Sequence, residues 1–239
     1  MPEDRLLRIL TRLAGDAHGK PSTTRLCVVC AEITEMTGAG IMLMVDEHPQ
    51  GSVCTTNDVS ATIEDLQYTL GEGPCVDAFR HNQPVVEPDL ADPAVTRWTA
   101  FSEGAVAAGA RAVFGFPVMV GDIPLGALNL YRDRPGAMSA AQHADALLVA
   151  AVAGRSILRM QAGAEPGAIG AELEVGTNFR FAVHQAAGMI AVQLGVGVDV
   201  ALVRLRAYAF SHDRNLIDVA HDVIDRRLRF DDEDTGDAP

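Results

Sequence analysis

Arg111-Ala112-Val113-Phe114-Gly115-Phe116-Pro117-Val118-Met119-Val120 and Ile123-Pro124-Leu125-Gly126-Ala127-Leu128-Asn129-Leu130-Tyr131 are two apolar runs separated only by Gly121-Asp122. A Gly-Asp pair between two such runs reads as a hairpin, because glycine supplies the backbone conformation a tight connection needs. Strand side chains alternate, so Phe114 and Phe116 share one face. Upstream, Ile41-Met42-Leu43-Met44-Val45 and Val53-Cys54-Thr55-Thr56 predict a second strand pair. Helices are predicted over Arg5 to Leu13, over Thr23 to Met36, and over Ala140 to Met160, the last rich in Ala, Leu and Val. Helix, strand pair, helices, strand pair, helix is an α+β order.

Three motifs follow one another along this half: Leu70-Gly71-Glu72-Gly73-Pro74-Cys75; Pro84-Val85-Val86 with Asp89-Leu90; and Phe116-Pro117-Val118 followed by Leu125-Gly126-Ala127-Leu128-Asn129-Leu130. Together they resemble a GAF domain spanning residues 21 to 160. The resemblance implies an antiparallel sheet of roughly five or six strands, an ordinary sheet size, with helices on one face and a small-molecule pocket on the other. A ligand pocket is largely apolar with a few polar anchors. The aromatic residues Tyr68, Trp98, Phe101, Phe114, Phe116 and Tyr131 are candidates to line it, and ordinary core is the alternative for each. Asn129, an amide inside an apolar strand, is the candidate anchor, since a buried amide needs partners. The expected ligand binds near the sheet face bearing Phe116 and Asn129, and its identity is not readable.

Asn178 to Phe230 has a different pattern, with three apolar stripes at three- and four-residue steps. Phe179, Val183, Ala186, Ile190 and Leu194 mark the first. Ala201, Leu202, Leu205 and Ala209 mark the second, and Leu216, Val219, Ala220, Val223, Ile224 and Leu228 the third. No such helix buries its stripe alone, and short connections favour a three-helix unit. Glycine within a helix costs roughly 1 kcal/mol relative to alanine, so Gly188 leads us to expect a close approach to its backbone.

His184-Gln185-Ala186-Ala187-Gly188, the run Ala201-Leu202-Val203-Arg204-Leu205-Arg206, and Arg214-Asn215-Leu216-Ile217-Asp218-Val219-Ala220 resemble an ANTAR domain. Members of that family are all-α modules that bind paired hairpin loops in nascent RNA and prevent transcription termination. The resemblance implies RNA contact at Gln185, Ala186, Gly188, Arg204, Arg206, Arg214 and Asn215. A guanidinium can stack on an unpaired loop base or bridge phosphates. Arg204 and Arg206 are two positions apart and cannot share a helical face. This sequence departs from the family at Ala187, where lysine is frequent, and at Asn215, where a basic residue is frequent.

The expected organisation is an N-terminal helix in 1–20, a GAF sensor in 21–160, a linker in 161–177 broken by Gly163, Pro166, Gly167 and Gly170, an ANTAR unit in 178–230, and an acidic tail in 231–239. The formal net charge of -13 argues against a nucleic-acid partner until the chain is divided. Residues 1–177 carry 12 basic and 22 acidic side chains, whereas 178–230 carry 7 and 5, so only the helical unit is net positive. Binding through weak contacts is strengthened by linking two copies. A homodimer built on Arg5 to Leu13 and Ala140 to Met160 is therefore expected, because Leu147, Leu148, Ala151, Val152 and Leu158 make the long helix apolar on more than one side.

No apolar run approaches the ~18 residues of a spanning helix. Met1-Pro2-Glu3-Asp4 starts acidic and leads into an amphipathic segment, so no signal peptide, no membrane partner and a cytoplasmic location are expected. Cys27 and Cys30 form a Cys-x-x-Cys pair, with core packing in a helix as the first reading and metal or redox chemistry as the second. No phosphate loop, zinc motif or hydrolase triad is present, and neither a cofactor nor a catalytic residue is expected. Two alternatives stay open: a sequence-specific DNA binder, since Gly195 to Val198 permits a helix-turn-helix, and a GAF-type thiol reductase using Cys75. A reactive thiol needs an electropositive setting, whereas the charges nearest Cys75 in sequence are Glu72 and Asp77.

Overall fold

The computed structural model describes residues 2–14, 23–45, 48–95, 97–163, 182–212, 214 and 216–230. The hairpin forms as the sequence predicts: Ala112–Val120 (β4) pairs antiparallel with Ile123–Arg132 (β5), from Ala112 opposite Arg132 to Val120 opposite Ile123. Gly38–Val45 (β1) and His48–Thr55 (β2) form the second pair, and Val85–Glu87 (β3) is a short edge strand on β4. β1 also pairs with β5, joining all five strands in the order β2-β1-β5-β4-β3.

One sheet face is covered by Thr23–Thr34 (α2) and Ala140–Gly163 (α6), with Pro2–Ala14 (α1) packed on them. α2 is shorter than predicted because Glu35 turns left-handed (φ 55) and Met36 N–H closes back on the Ala31 carbonyl. In α6, Ala146, Val149, Ala150, Val152, Ala153 and Ile157 are buried in the core they share with Phe114, Phe116, Leu128 and Leu130. Leu147 and Leu158 are left 45% and 37% exposed, so the long helix carries apolar residues outside this core as well as in it. α1 inserts Ile9 into this core, and its Arg5 and Arg8 both reach Asp145 of α6.

The opposite face, where the resemblance implies a pocket, is roofed by Asp58–Leu70 (α3) and Pro74–His81 (α4), with Thr99–Ala108 (α5) packed on α3. A second core of Ile63, Leu90, Trp98, Phe101, Ala105, Ala110, Val113 and Tyr131 lies there.

The chain divides into two compact units, Met1–Ile169 and Gly170–Pro239. Among its described residues the second holds a helix over 182–194 (α7), Val198–Ser211 (α8) and Leu216–Ile224 (α9). The Gly195 break, with φ 64, ends α7. Val183, Ala186, Ala187, Ile190, Ala201, Leu205, Ala209, Leu216, Val219, Ala220 and Val223 are buried, each stripe turned inward. The Phe230 N–H donates to Gln193 Oε1 at 2.9 Å, tying the end of the unit to α7. The expected linker after Gly163 and the acidic tail fall outside the described residues.

Candidate functional site

Asn129 of β5 faces the helices α3 to α5. Its neighbours across the sheet are Gly40 on β1 and Gly115 on β4. The residue is 1% exposed, and among the described residues neither its Oδ1 nor its Nδ2 has a hydrogen-bond partner. Leaving a buried polar group unsatisfied costs about 1–3 kcal/mol, so this amide is a candidate anchor for a ligand. The two glycines let the roof descend on either side of it. A Cβ on Gly40 would stand 2.6 Å from Glu64 Oε1, and one on Gly115 would overlap the Pro74 carbonyl. Asn129 therefore lies between the Glu64 carboxylate of α3 and the first turn of α4.

α3 is aimed into this space by a firm start. Asn57 accepts from Ser60 N–H, Ser60 returns the bond through its own side chain, and Tyr131 Oη donates to Asn57 Oδ1 at 3.0 Å. Glu64, Gln67 and Tyr68 are then buried on its inner side. Gln67 Oε1 accepts the Cys75 N–H at 2.7 Å, while its Nε2 is shielded from solvent with no hydrogen-bond partner among the described residues. Glu64 and Gln67 are side chains that sequence reasoning missed. A charged residue and an amide on a helix next to Asp65 read as a solvated face, and only the Gly40 and Gly115 partners on distant strands reveal otherwise.

Cys75 is fully buried. Its thiol is pushed well above the ordinary range by desolvation first and by the Glu64 carboxylate second, with the Gln67 hydrogen bond opposing. Burial likewise raises Cys30 to about 12. A thiol whose pKa rises on folding favours the folded state below the unfolded value of 9.0 and loses that contribution as pH climbs through the folded value. Iodoacetamide at pH 8 is thus expected to leave Cys30 and Cys75 unmodified in the folded chain and to label both after denaturation. The melting temperature is expected to fall as pH is raised above 9.0. Prompt labelling of folded Cys75 would contradict this placement.

Trp98 holds the other end of the roof. It precedes α5 in a left-handed conformation (φ 57), one that bulky residues rarely adopt and that costs of order 1–3 kcal/mol. Its indole N–H donates to Asp77 Oδ2 of α4 at 2.9 Å, and the Arg97 guanidinium lies 4.2 Å above its ring. Glu72 Oε1 accepts the Phe101 N–H, so the loop before α4 caps the start of α5.

The expected grouping of aromatics is corrected on one point. Tyr68 is buried on α3, and Trp98, Phe101 and Tyr131 lie in the core on the Asn129 side, but Phe114 and Phe116 point the other way. Phe114 is registered with Leu130 and Phe116 with Leu128, one residue out of phase with Asn129, and Phe116 packs edge-on to His143 of α6 at 5.2 Å. A one-residue step in a strand changes the face, so Phe116 and Asn129 cannot serve one pocket. The core reading of Cys27 and Cys30 holds for their burial, but not for Cys27 as a free thiol. Both are buried on α2, but Cys27 is bridged to Cys54 of β2, and only Cys30 is a thiol. Among the described residues no three His, Cys, Asp or Glu side chains gather as a metal site would require.

Residues 24–157, more than half of the chain, match the GAF domain family. The chain belongs to that family. Its first unit is accordingly a sensory domain of the kind that binds small-molecule signals. No curated protein matches the sequence. Among solved structures, the GAF domain of an Acinetobacter phosphoenolpyruvate-protein phosphotransferase is 16% identical, covering 68% of this chain and 96% of that one with a TM-score of 0.49. The corresponding domain from Coxiella burnetii is 15% identical, covering 66% and 96% with a TM-score of 0.48. A type II free methionine-R-sulfoxide reductase from Thermoplasma acidophilum is 17% identical, covering 56% and 91% with a TM-score of 0.39. Likeness at this level adds nothing to the family match.

Beyond the GAF domain, the candidate RNA residues of the helical unit are placed unevenly. Gln185 and Arg204 are exposed. Ala186 is fully buried, which removes it as a contact, because its methyl belongs to the apolar stripe of α7. Gly188 is half-buried, yet a Cβ there would meet nothing within 4 Å, so the expected close approach is not made by any of the described residues. Arg206 is half-buried with Nε and Nη2 shielded from solvent. Arg214 Nη2 bonds Asp222 Oδ2 at 2.7 Å, and Arg227 Nε bonds Asp222 Oδ1 at 2.7 Å. The two guanidiniums, Arg214 first, hold the Asp222 carboxyl below the usual range. Asn215 lies outside the described residues. No described helix is long and apolar enough to cross a membrane.

Proposed function

We propose that this protein is a signal-responsive RNA-binding regulator, in which a GAF sensor governs a C-terminal ANTAR unit that binds paired hairpins in nascent RNA and prevents transcription termination. The observation that carries the reading is the composition of the helical unit. Most of its described stripe residues are buried in its own core, and its net-positive charge is presented outside by Arg204, with Arg214 oriented by Asp222. Phosphate contacts are made by such cations, and a guanidinium fixed at one end is pre-organised to stack or bridge with the other. Gel-shift competition between paired-hairpin RNA and duplex DNA tests this, and preference for the duplex would establish the DNA-binding alternative. Arg214→Ala is expected to weaken RNA binding roughly tenfold, about 1.4 kcal/mol, within the range for a charge-assisted contact. Binding unchanged by that substitution would reduce Arg214 to a surface ion pair.

The sensor's ligand is proposed to sit against Asn129 beneath α3 and α4, with Tyr68 and Trp98 on the same side. The protein acts as a homodimer through α1 and α6, where Leu7, Leu10, Leu147 and Leu158 are exposed. Val152 is excluded as a contact, being buried within the chain. The location is cytoplasmic, where transcripts are made. The reductase alternative is disfavoured by burial and by Glu64 beside Cys75, both of which oppose the thiolate.

A further inference from the structure

The Cys27–Cys54 bond ties a helix to the edge of the sheet within one core of the GAF unit. Cys27 lies on α2, in the core beneath one face, and Cys54 lies near the end of β2, the edge strand of the sheet. Three residues after Cys54 the chain reaches Asn57, the cap of α3, through Thr56, whose Oγ1 accepts the Ala39 N–H and whose N–H donates to Ser60 Oγ. The bridge thus anchors, from the far side of the sheet, the start of the helix that carries Glu64, Gln67 and Tyr68 over Asn129.

Two observations set this bond apart from a permanent staple. A core of this extent has no need of one, since disulfides substitute for burial mainly in small secreted domains. The chain also keeps Cys30 and Cys75 as thiols, one of them three residues from Cys27, whereas chains built for oxidising compartments pair their cysteines. We propose that Cys27–Cys54 is a reversible oxidation site, closed by peroxide and opened by a protein dithiol, that sets how firmly α3 is held over the ligand face.

In closing, the Cys54 thiolate, 8% exposed on the edge strand, attacks peroxide to give a sulfenic acid and hydroxide. The Cys27 thiolate then displaces the sulfenic oxygen, which leaves as water once protonated, and the disulfide forms. Opening consumes two electrons. A reductant thiolate attacks Cys54 Sγ and expels Cys27 as a thiolate that takes up a proton. The reductant's second thiolate then releases Cys54 and leaves as a disulfide. Cys30 is bonded to neither cysteine and stays a thiol throughout.

The test uses the full chain, hydrogen peroxide, and a thioredoxin-type dithiol, without denaturant. Peptide mapping after denaturing alkylation should show Cys27 and Cys54 blocked in the oxidised protein and both labelled after the dithiol, with Cys30 and Cys75 labelled in each. Amide exchange across residues 54–70 should quicken by about tenfold on reduction, a local opening, and Cys54→Ser should show the quick rate in either condition. Cys30→Ser should switch as the parent does. A bond that the dithiol cannot open in the folded chain would make it a staple and overturn the proposal. So would four labelled thiols after peroxide, or reduction that leaves the exchange of α3 unchanged.

Discussion

Asn129→Leu is expected to raise the melting temperature of the ligand-free protein and to abolish the thermal response to any small molecule that shifts the parent. Asn129 is buried between Gly40 and Gly115 with neither polar atom bonded within the described residues. Leucine has the same branching and no polar atom to leave unsatisfied, so the substitution removes a penalty of about 1–3 kcal/mol, which outweighs the cost of its bulkier methyls where the ligand space takes them up. At roughly 2–4 °C per kcal/mol for a unit of this size, the midpoint should rise by roughly 2–12 °C. Ligand-binding positions often carry such a cost, because function keeps a group that stability would discard. A screen of metabolites and nucleotides by thermal shift checks both halves, since a ligand preferring the folded state raises the midpoint by mass action. A leucine variant that melts lower than the parent, or that still responds to the parent's ligand, removes Asn129 from the site.

Loss of the Cys27–Cys54 cross-link is expected to be the largest single stability change in the GAF unit. The bond spans a sequence separation of 27 residues. Closing a loop of that length removes unfolded-state entropy worth about 3–4 kcal/mol, or roughly 6–16 °C in the midpoint. The peroxide-treated parent, the reduced parent and a Cys27→Ala, Cys54→Ala double variant should be melted side by side. The reduced parent isolates the cross-link, and the double variant adds the two small voids. Equal midpoints for oxidised and reduced parent would mean that the bond does not constrain the unfolded chain.

The sheet was largely legible in the sequence because its signals are local. Gly121-Asp122 between two apolar runs defined β4 and β5 to within a residue at each outer end, and the apolar stripes defined the terminal helices. The face on which each side chain falls was less legible. Alternation placed Phe114 with Phe116 correctly, but the relation of that pair to Asn129 depends on cross-strand register, which the turn and its bulge at Val118 and Met119 decide. Glu64 and Gln67 were hidden for the same reason, since their burial depends on glycines remote in sequence. The Cys-x-x-Cys spacing drew attention to Cys30, whereas the partner of Cys27 lies on another element. In the helical unit, burial followed from periodicity, and the same periodicity identifies Ala186 as core.

Addition of the purified chain to an in vitro transcription reaction, on a template whose leader encodes paired hairpins before an intrinsic terminator, tests the central claim most directly. The account predicts that read-through rises with protein concentration, that it is lost when either hairpin loop is changed, and that Arg214→Ala reduces it. Read-through that stays at the protein-free level, with the same chain shown to be folded, would contradict it.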